Sequence, residues 1–368
     1  MSCFSDLVAD HVRDLGVETP AEPRRGVSPV VSCRVELAAN QSPYGPSPKA
    51  MAAMRDVVEK SHLYPDNDAR ELRQKIAQLH SVEVDEVIVS AGLTGLLTVI
   101  ARTLLQPGRM AITSECSFVA YGISTRAVGA RLVETTRRNH GYDLDAVLSA
   151  IEHSTRIVFL ANPNNPTGTL IESRAVERFL QRVPPHVVVV IDEAYYDYAR
   201  YFSAARGVEY SSPDYVRRWQ NVVMLRTFSK AHGLAGLRIG YGLGRAELIA
   251  YFARLQDTFS VSGVAQAAAL AALEDTEHVR FAVENNAMEA ERLANEISRL
   301  GCRVVPTWAN FLCCDLGQDA AAVARKLRAE GVVVLPLGEW GAPTSLRITV
   351  GTAEQNRIFL RSFRKILR

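Results

Sequence analysis

Short runs of apolar and β-branched residues recur along the first two thirds of the chain, and they constrain its fold more than any other feature. They read "VIVS" at 87–90, "MAIT" at 110–113, "RLVET" at 131–135, "RIVFLA" at 156–161, "HVVVVID" at 186–192, "NVVML" at 221–225 and "RIGYGL" at 238–243. Segments with helical spacing separate most of them, such as "GLLTVIARTLL" at 95–105 and "ESRAVERFLQRV" at 172–183. Strands alternating with helices predict an α/β fold on a doubly wound, mainly parallel sheet of seven strands. The unbroken "VVVVI" suits a strand covered on both faces. After about residue 255 the rhythm changes. Two helical segments, 263–275 and 278–300, precede short strand candidates at 303–307, 310–316 and 346–350. The expected organisation is an N-terminal arm and part of a small domain over 1–40, a large domain over 41–255, and a smaller α+β domain over 256–368.

A chain of 368 residues is long enough to bury a sizeable core. Its net charge is +2, with both signs mixed along the chain, and no basic block of the kind that binds nucleic acid. Cys3, Cys33, Cys116, Cys302, Cys313 and Cys314 are scattered without a CxxC pair, so neither a metal site nor a disulfide framework is expected. Reduced thiols in a cytoplasmic protein fit this pattern. The opening "MSCFSDLVADHVRDLG" lacks the basic-then-apolar order of a signal peptide, and no apolar run approaches the length of a membrane span.

Open α/β sheets bind ligands beyond the carboxyl ends of their strands, so the residues following each strand matter most. After "VIVS" come Gly92, Leu93 and Thr94 in a turn that can offer N–H groups to an anion, or simply connect strand to helix. After "RIVFLA" lies the amide-rich loop 162–168, in which either Pro163 or Pro166 is a candidate for a cis bond. Asp192 ends the most apolar strand; buried, it needs a partner, and exposed, it merely starts a loop. Lys230 follows the next strand within "FSKAHGLAG", a stretch low in charge. Most lysines only solvate a surface. A desolvated lysine has a lowered pKa and acts as an amine nucleophile that forms Schiff bases with carbonyl compounds.

The motifs "NQSPYGPSP" 40–48, "YPDNDARELR" 64–73, "NPNNPTGT" 162–169, "IDEAYYDY" 191–198, "RTFSKAHGLAGLRIGYG" 226–242 and "LRITVGTAEQN" 346–356 occur in this order. In them the chain resembles a fold type I, pyridoxal 5'-phosphate-dependent aminotransferase, and more narrowly the histidinol-phosphate aminotransferase family. The resemblance implies a ping-pong transfer between an amino donor and 2-oxoglutarate. It makes Lys230 the residue that carries the cofactor and then acts as general acid and base. Asp192 would face the pyridine nitrogen, and Asn165 and Tyr195 would donate to the phenolic oxygen. Phe118 would stack on the ring, although a lone Phe is more often core. Arg238, Thr227, Ser229 and the turn Gly92-Leu93-Thr94 would hold the phosphate. Tyr64 would reach the phosphate in a neighbouring subunit, which implies a homodimer. Arg347 would clamp a substrate carboxylate, with Tyr44 and Asn310 lining the substrate side; Asn310 is equally a strand-start residue.

Three departures bear on the substrate. The family's usual "NEN" is here Asn40-Gln41-Ser42, and Leu93 stands where a small residue is common. Leu335 replaces the arginine that grips the substrate phosphate, and Glu339 and Trp340 replace a glycine-tyrosine pair. A leucine cannot neutralise a phosphate dianion. The expectation therefore divides between a histidinol-phosphate enzyme and a paralogue for an unphosphorylated aromatic or basic amino acid. A decarboxylase or cyclase on the same fold would use the same lysine and acid. A cofactor-sensing regulator would need a DNA-binding module ahead of "NQSPYGP", where no basic two-helix pattern stands.

Overall fold

The computed structural model describes residues 7–13, 15, 34–210 and 215–367. Most of the expected N-terminal arm, with Cys3 and Cys33, lies outside these residues. The main sheet has seven strands: β1 Val87–Ser90, β2 Met110–Ser114, β3 Arg131–Thr135, β4 Thr155–Ala161, β5 Val188–Asp192, β6 Val222–Thr227 and β7 Gly240–Leu243. Their order across the sheet is β1-β7-β6-β5-β4-β2-β3. Only β7 runs antiparallel to its neighbours. Four of the five residues of β5 and all of β1 and β2 are buried, as their unbroken apolar runs predict.

A second sheet contains β8 Arg303–Val305, β9 Phe311–Asp315, β10 Leu335–Pro336 and β11 Ser345–Thr349, in the antiparallel order β8-β9-β11-β10. Near it, Val35–Glu36 pairs in parallel with Val332–Val333, so residues just before the "NQSPYGP" segment do join this part of the structure. The 24-residue helix Thr276–Arg299 turns Val283, Ala287, Ala290, Leu293 and Ile297 inward, a helical stripe that packs with Phe311, Phe359 and Phe363.

Several expected boundaries shift. The helix after β1 begins at Gly92, three residues before the apolar run suggests, so the glycine turn is itself the first helical turn. Strand β7 starts at Gly240, because Arg238 adopts φ +52, outside the extended region. The helix Gly263–Glu274, expected with the second domain, instead buries Ala265, Ala268, Ala269 and Ala272 in the core of the main sheet. These small side chains let it lie close to the helix Pro48–Val58, which Ser47 caps through its hydroxyl at 3.1 Å from the Ala50 N–H.

The loop from Lys230 to Arg238 is fixed by glycine for an unexpected reason. Gly233 has φ +70, and a Cβ there would lie 2.1 Å from the Gly45 carbonyl oxygen. The glycine thus lets this loop dock on the "SPYGP" segment, and Gly236 meets nothing within 4 Å. Substituting Gly233→Ala should destabilise the protein by about 2 kcal/mol or more, since it adds both strain and a backbone clash. A denaturant midpoint unchanged from the parent would contradict this packing.

Candidate active site

The carboxyl ends of β4, β5 and β6 lie side by side, with Ala161 in register with Asp192 and Asp192 with Leu225. Two residues beyond β6, the chain reaches Ser229 and Lys230. Together with the turn after β1 and strand β11 of the second sheet, these ends enclose a cavity of about 200 Å³. Among its lining residues are Leu93, Thr94, Phe118, Asn165, Asp192, Tyr195, Thr227, Ser229, Lys230, Arg238 and Arg347, drawn from segments far apart in sequence.

Lys230 donates from Nζ to the Asn40 carbonyl oxygen at 3.2 Å, and its Nζ lies 5.5 Å from the Tyr195 ring centre. Burial pushes its amine down to about 7, and the nearby Arg347 and Arg238 guanidinium groups push the same way. Asp192 is the opposing charge. Burial raises its carboxyl to about 6, against the pull of a 2.9 Å hydrogen bond from the Tyr121 hydroxyl and a 3.0 Å bond from the Ala194 N–H. Just past Asp192, buried Glu193 pairs with Arg226 at 3.0 Å and accepts from the Tyr210 hydroxyl at 3.0 Å. Arg226 also lies 3.3 Å over the Tyr196 ring.

On the opposite wall, buried Arg347 donates to Asn165 Oδ1 at 2.5 Å and to the Ala38 carbonyl. Its Nε is buried without a partner. Since Asn165 Oδ1 is engaged by a guanidinium, its amide nitrogen remains as the donor. Arg238 is exposed and holds Ser229 Oγ at 3.4 Å and the Ala235 carbonyl at 3.1 Å. Gly92 makes room for it: a Cβ on Gly92, where φ is +75, would fall 2.5 Å from Arg238 Nη2. The Thr227 hydroxyl accepts the Ser229 N–H at 3.1 Å. Both Asn162-Pro163 and Asn165-Pro166 are cis.

Other residues singled out in the sequence lie outside this cavity. Tyr64 is 82 % exposed and stacks on Phe259 with ring centres 4.5 Å apart, away from this cavity. Tyr44 packs edge-on against Phe281 at 5.2 Å rather than lining the cavity. Asn310 is fully buried behind it, donating to the Asn40 carbonyl at 3.1 Å. Leu335 stands opposite Arg347 in the β10–β11 register and packs with the cluster of Val305, Cys313 and Leu337. Glu339 is exposed, while Trp340 joins that apolar cluster.

Sequence reading missed Tyr121 and passed over Asn40. Tyr121 lies three residues after Phe118, in the first turn of the helix Ala120–Arg126, and meets the Phe118 ring edge-on at 5.7 Å. Asn40 appeared only as the first letter of a motif that otherwise departs from its family, yet it lines the cavity and contacts Lys230 and Tyr195.

Comparison with known proteins agrees with this geometry. The sequence profile of aminotransferase class I and II matches residues 34–363. "Histidinol-phosphate aminotransferase 2" of Pseudomonas fluorescens is 41 % identical over 90 % of this chain and 89 % of its own length. The protein of the same name in Pseudomonas aeruginosa is 39 % identical over 100 % of this chain and 99 % of its own. A crystal structure of histidinol-phosphate aminotransferase from Sinorhizobium meliloti in complex with pyridoxal-5'-phosphate superposes with a TM-score of 0.85, at 27 % identity and 92 % coverage of both chains. An aspartate aminotransferase from Thermus thermophilus with maleate gives a TM-score of 0.81 at 26 % identity, over 91 % of this chain and 92 % of that one. Fold and cavity thus define a fold type I pyridoxal-phosphate enzyme. The chain belongs to the class I and II aminotransferase family. It is a transaminase, and pyridoxal 5'-phosphate is its cofactor. The cavity fits that group, with an amine held near neutrality, a buried carboxylate, and a guanidinium in the space a Gly92 side chain would take.

The lowered amine pKa has a direct consequence. An ordinary lysine is almost wholly protonated at pH 7, whereas an amine of pKa about 7 is half neutral there. At neutral pH the neutral fraction of Lys230 in the cofactor-free protein exceeds that of a surface lysine by roughly a thousandfold, and its reaction with a small arylating reagent should follow that fraction. The rate should rise with pH and level off above about pH 8, which peptide mapping of the labelled protein would follow. A rate still climbing at pH 10 would rule out the desolvated amine.

Proposed function

We propose that this transaminase moves an amino group from an amine donor to 2-oxoglutarate, in two half-reactions that use the cavity in turn. The observation that carries the reading is one cavity in which a near-neutral amine, a buried carboxylate and a buried guanidinium converge. Bound pyridoxal phosphate supplies an aldehyde for amine exchange and a ring that accepts electrons released at the donor's α carbon. Lys230 would hold the cofactor through its amine and, when free of it, would be the group placed to move a proton at the donor's α carbon. Asp192 keeps the ring nitrogen protonated, while Asn165 and Tyr195 donate to the phenolic oxygen. Arg238, the hydroxyls of Thr227 and Ser229, and the turn Gly92-Leu93-Thr94 bind the phosphate, and Phe118 covers the ring. Arg347 presents its planar fork to the acceptor's carboxylate.

The relatives' shared name points to histidinol phosphate as the donor. One observation favours a second donor class. Leu335 occupies the strand position beside Arg347 and adds apolar surface there, not charge. An unphosphorylated aromatic or basic amino acid suits that wall better than a phosphate dianion. Glu339 is exposed and is not among the residues that line the cavity.

The active unit in this reading is a homodimer. Tyr64 is highly exposed, Leu63 beside it is 60 % exposed, and such apolar side chains favour a partner surface. Tyr64 would then serve the neighbouring subunit's phosphate.

Lys230→Ala should lower turnover by about 10³-fold or more and remove the visible absorbance of the holoenzyme. Hybrids assembled from Lys230→Ala and Tyr64→Ala subunits should recover activity beyond either parent if Tyr64 crosses the interface; no recovery would place it outside the partner's site. A donor panel separates the substrate readings. Histidinol phosphate favoured by a wide margin supports the first. Weak use of it, with about a tenfold gain in kcat/KM on Leu335→Arg, supports the second.

A further inference from the structure

We propose that Asn40 is a positioning residue, whose carbonyl oxygen holds the Lys230 amine while its side-chain amide turns the Tyr195 hydroxyl proton into the cavity. The inference rests on the transaminase reading above and goes beyond it. Every polar atom of Asn40 is engaged. Its carbonyl oxygen accepts from Lys230 Nζ at 3.2 Å and from Asn310 Nδ2 at 3.1 Å. Its Nδ2 donates to the Tyr195 hydroxyl oxygen at 2.9 Å. Its N–H donates to Thr349 Oγ1 at 2.9 Å, and Thr349 Oγ1 donates to its Oδ1 at 3.0 Å. The residue is buried and has φ +54, a left-handed conformation that asparagine tolerates better than most side chains.

The donor pattern decides the role. Thr349 donates its one hydroxyl proton to Asn40 Oδ1, which leaves Nδ2 as the donor toward Tyr195. Tyr195 therefore receives a hydrogen bond on its oxygen and keeps its own proton for another acceptor. It is buried on the cavity wall, so that proton points to whatever occupies the cavity. A hydroxyl that both accepts and donates is a stronger donor than one that only donates. The charged groups around Tyr195 are Arg347, Asp192 and Lys230. Among the described residues, the hydrogen-bond partner of its hydroxyl oxygen is Asn40.

The same residue links the two walls. Thr349 and Arg347 lie on β11, and the Arg347 guanidinium binds the Ala38 carbonyl two residues before Asn40. The segment 38–40 thus spans from the substrate-facing guanidinium to the Lys230 amine.

The test is a spectrophotometric pH titration of the holoenzyme's visible chromophore. Asn40→Gly keeps the left-handed backbone and the carbonyl but removes the amide donor. A weaker hydrogen bond from Tyr195 to the chromophore's phenolic oxygen should raise its apparent pKa by about half to one unit. In a Tyr195→Phe background the same substitution should produce no further shift. An Asn40→Gly holoenzyme with an unmoved pKa, or a shift that persists without the Tyr195 hydroxyl, overturns the assignment. If the glycine variant does not hold its fold in thermal unfolding, Asn40→Asp is read in the same cycle. It keeps the side-chain shape but can only accept, so the part of its shift lost in the Tyr195→Phe background must again be upward. The Lys230→Ala control separates the two claims. Full turnover in that variant defeats the roles proposed for the cavity, whereas an Asn40 result alone leaves them standing.

Discussion

The burial of one amine organises this structure. Moving Lys230 from the ordinary lysine range to about 7 corresponds to roughly 5 kcal/mol against the charged form, an expense the rest of the fold must bear. The amine receives two compensations, the Asn40 carbonyl at 3.2 Å and the field of Asp192. Two guanidinium groups, on Arg347 and Arg238, work against it. The cavity therefore holds three basic side chains and one buried carboxylate, a balance that favours anionic occupants at its two ends. A phosphate beside Arg238 and a carboxylate beside Arg347 would each relieve repulsion that the protein alone retains.

Sheet topology brings these charges together at little conformational cost. Parallel strands β4, β5 and β6 end in register, so the loop amides, the acid and the lysine emerge next to one another. The next layer is stiffened by a separate buried ion pair, Glu193 with Arg226, held by Tyr210 and covered by Tyr196. Removing one member of such a pair leaves an uncompensated charge, so the pair supports position more than net stability. Arg347 comes from the other sheet, and its contacts to Asn165 and Ala38 bridge the two.

Most strands of the main sheet were legible because they are apolar runs, several of them buried on both faces, and the α/β alternation predicted a mainly parallel sheet, although not the order of its strands. Lys230, Asp192, Tyr195, Asn165, Arg238 and Arg347 converge where strand-end reasoning and motif resemblance place them. Other features could not be read. Gly233 is constrained by the Gly45 backbone, which lies almost two hundred residues away in sequence. The alanine-rich helix Gly263–Glu274 carries no periodic signal that says which core it joins. Tyr121 gave no sign of its bond to Asp192, because a hydroxyl on an otherwise apolar helix face reads as core until its partner is known.

The reaction is easier to read than the substrate for a physical reason. Bond making at the donor's α carbon depends on a few groups whose chemistry has few substitutes: an amine, an acid at the ring nitrogen, and donors to the phenolic oxygen. These come from consecutive strand ends of one sheet, where a change in residue type changes the chemistry outright. In the proposed reading, discrimination among donors would draw on the second sheet, where Leu335 and Arg347 stand opposite each other. There, Leu335 pairs in register with Arg347 and packs on the apolar cluster of Val305, Cys313 and Leu337. A substitution on that wall would act on the donor's side chain from a different sheet than the one that carries the amine.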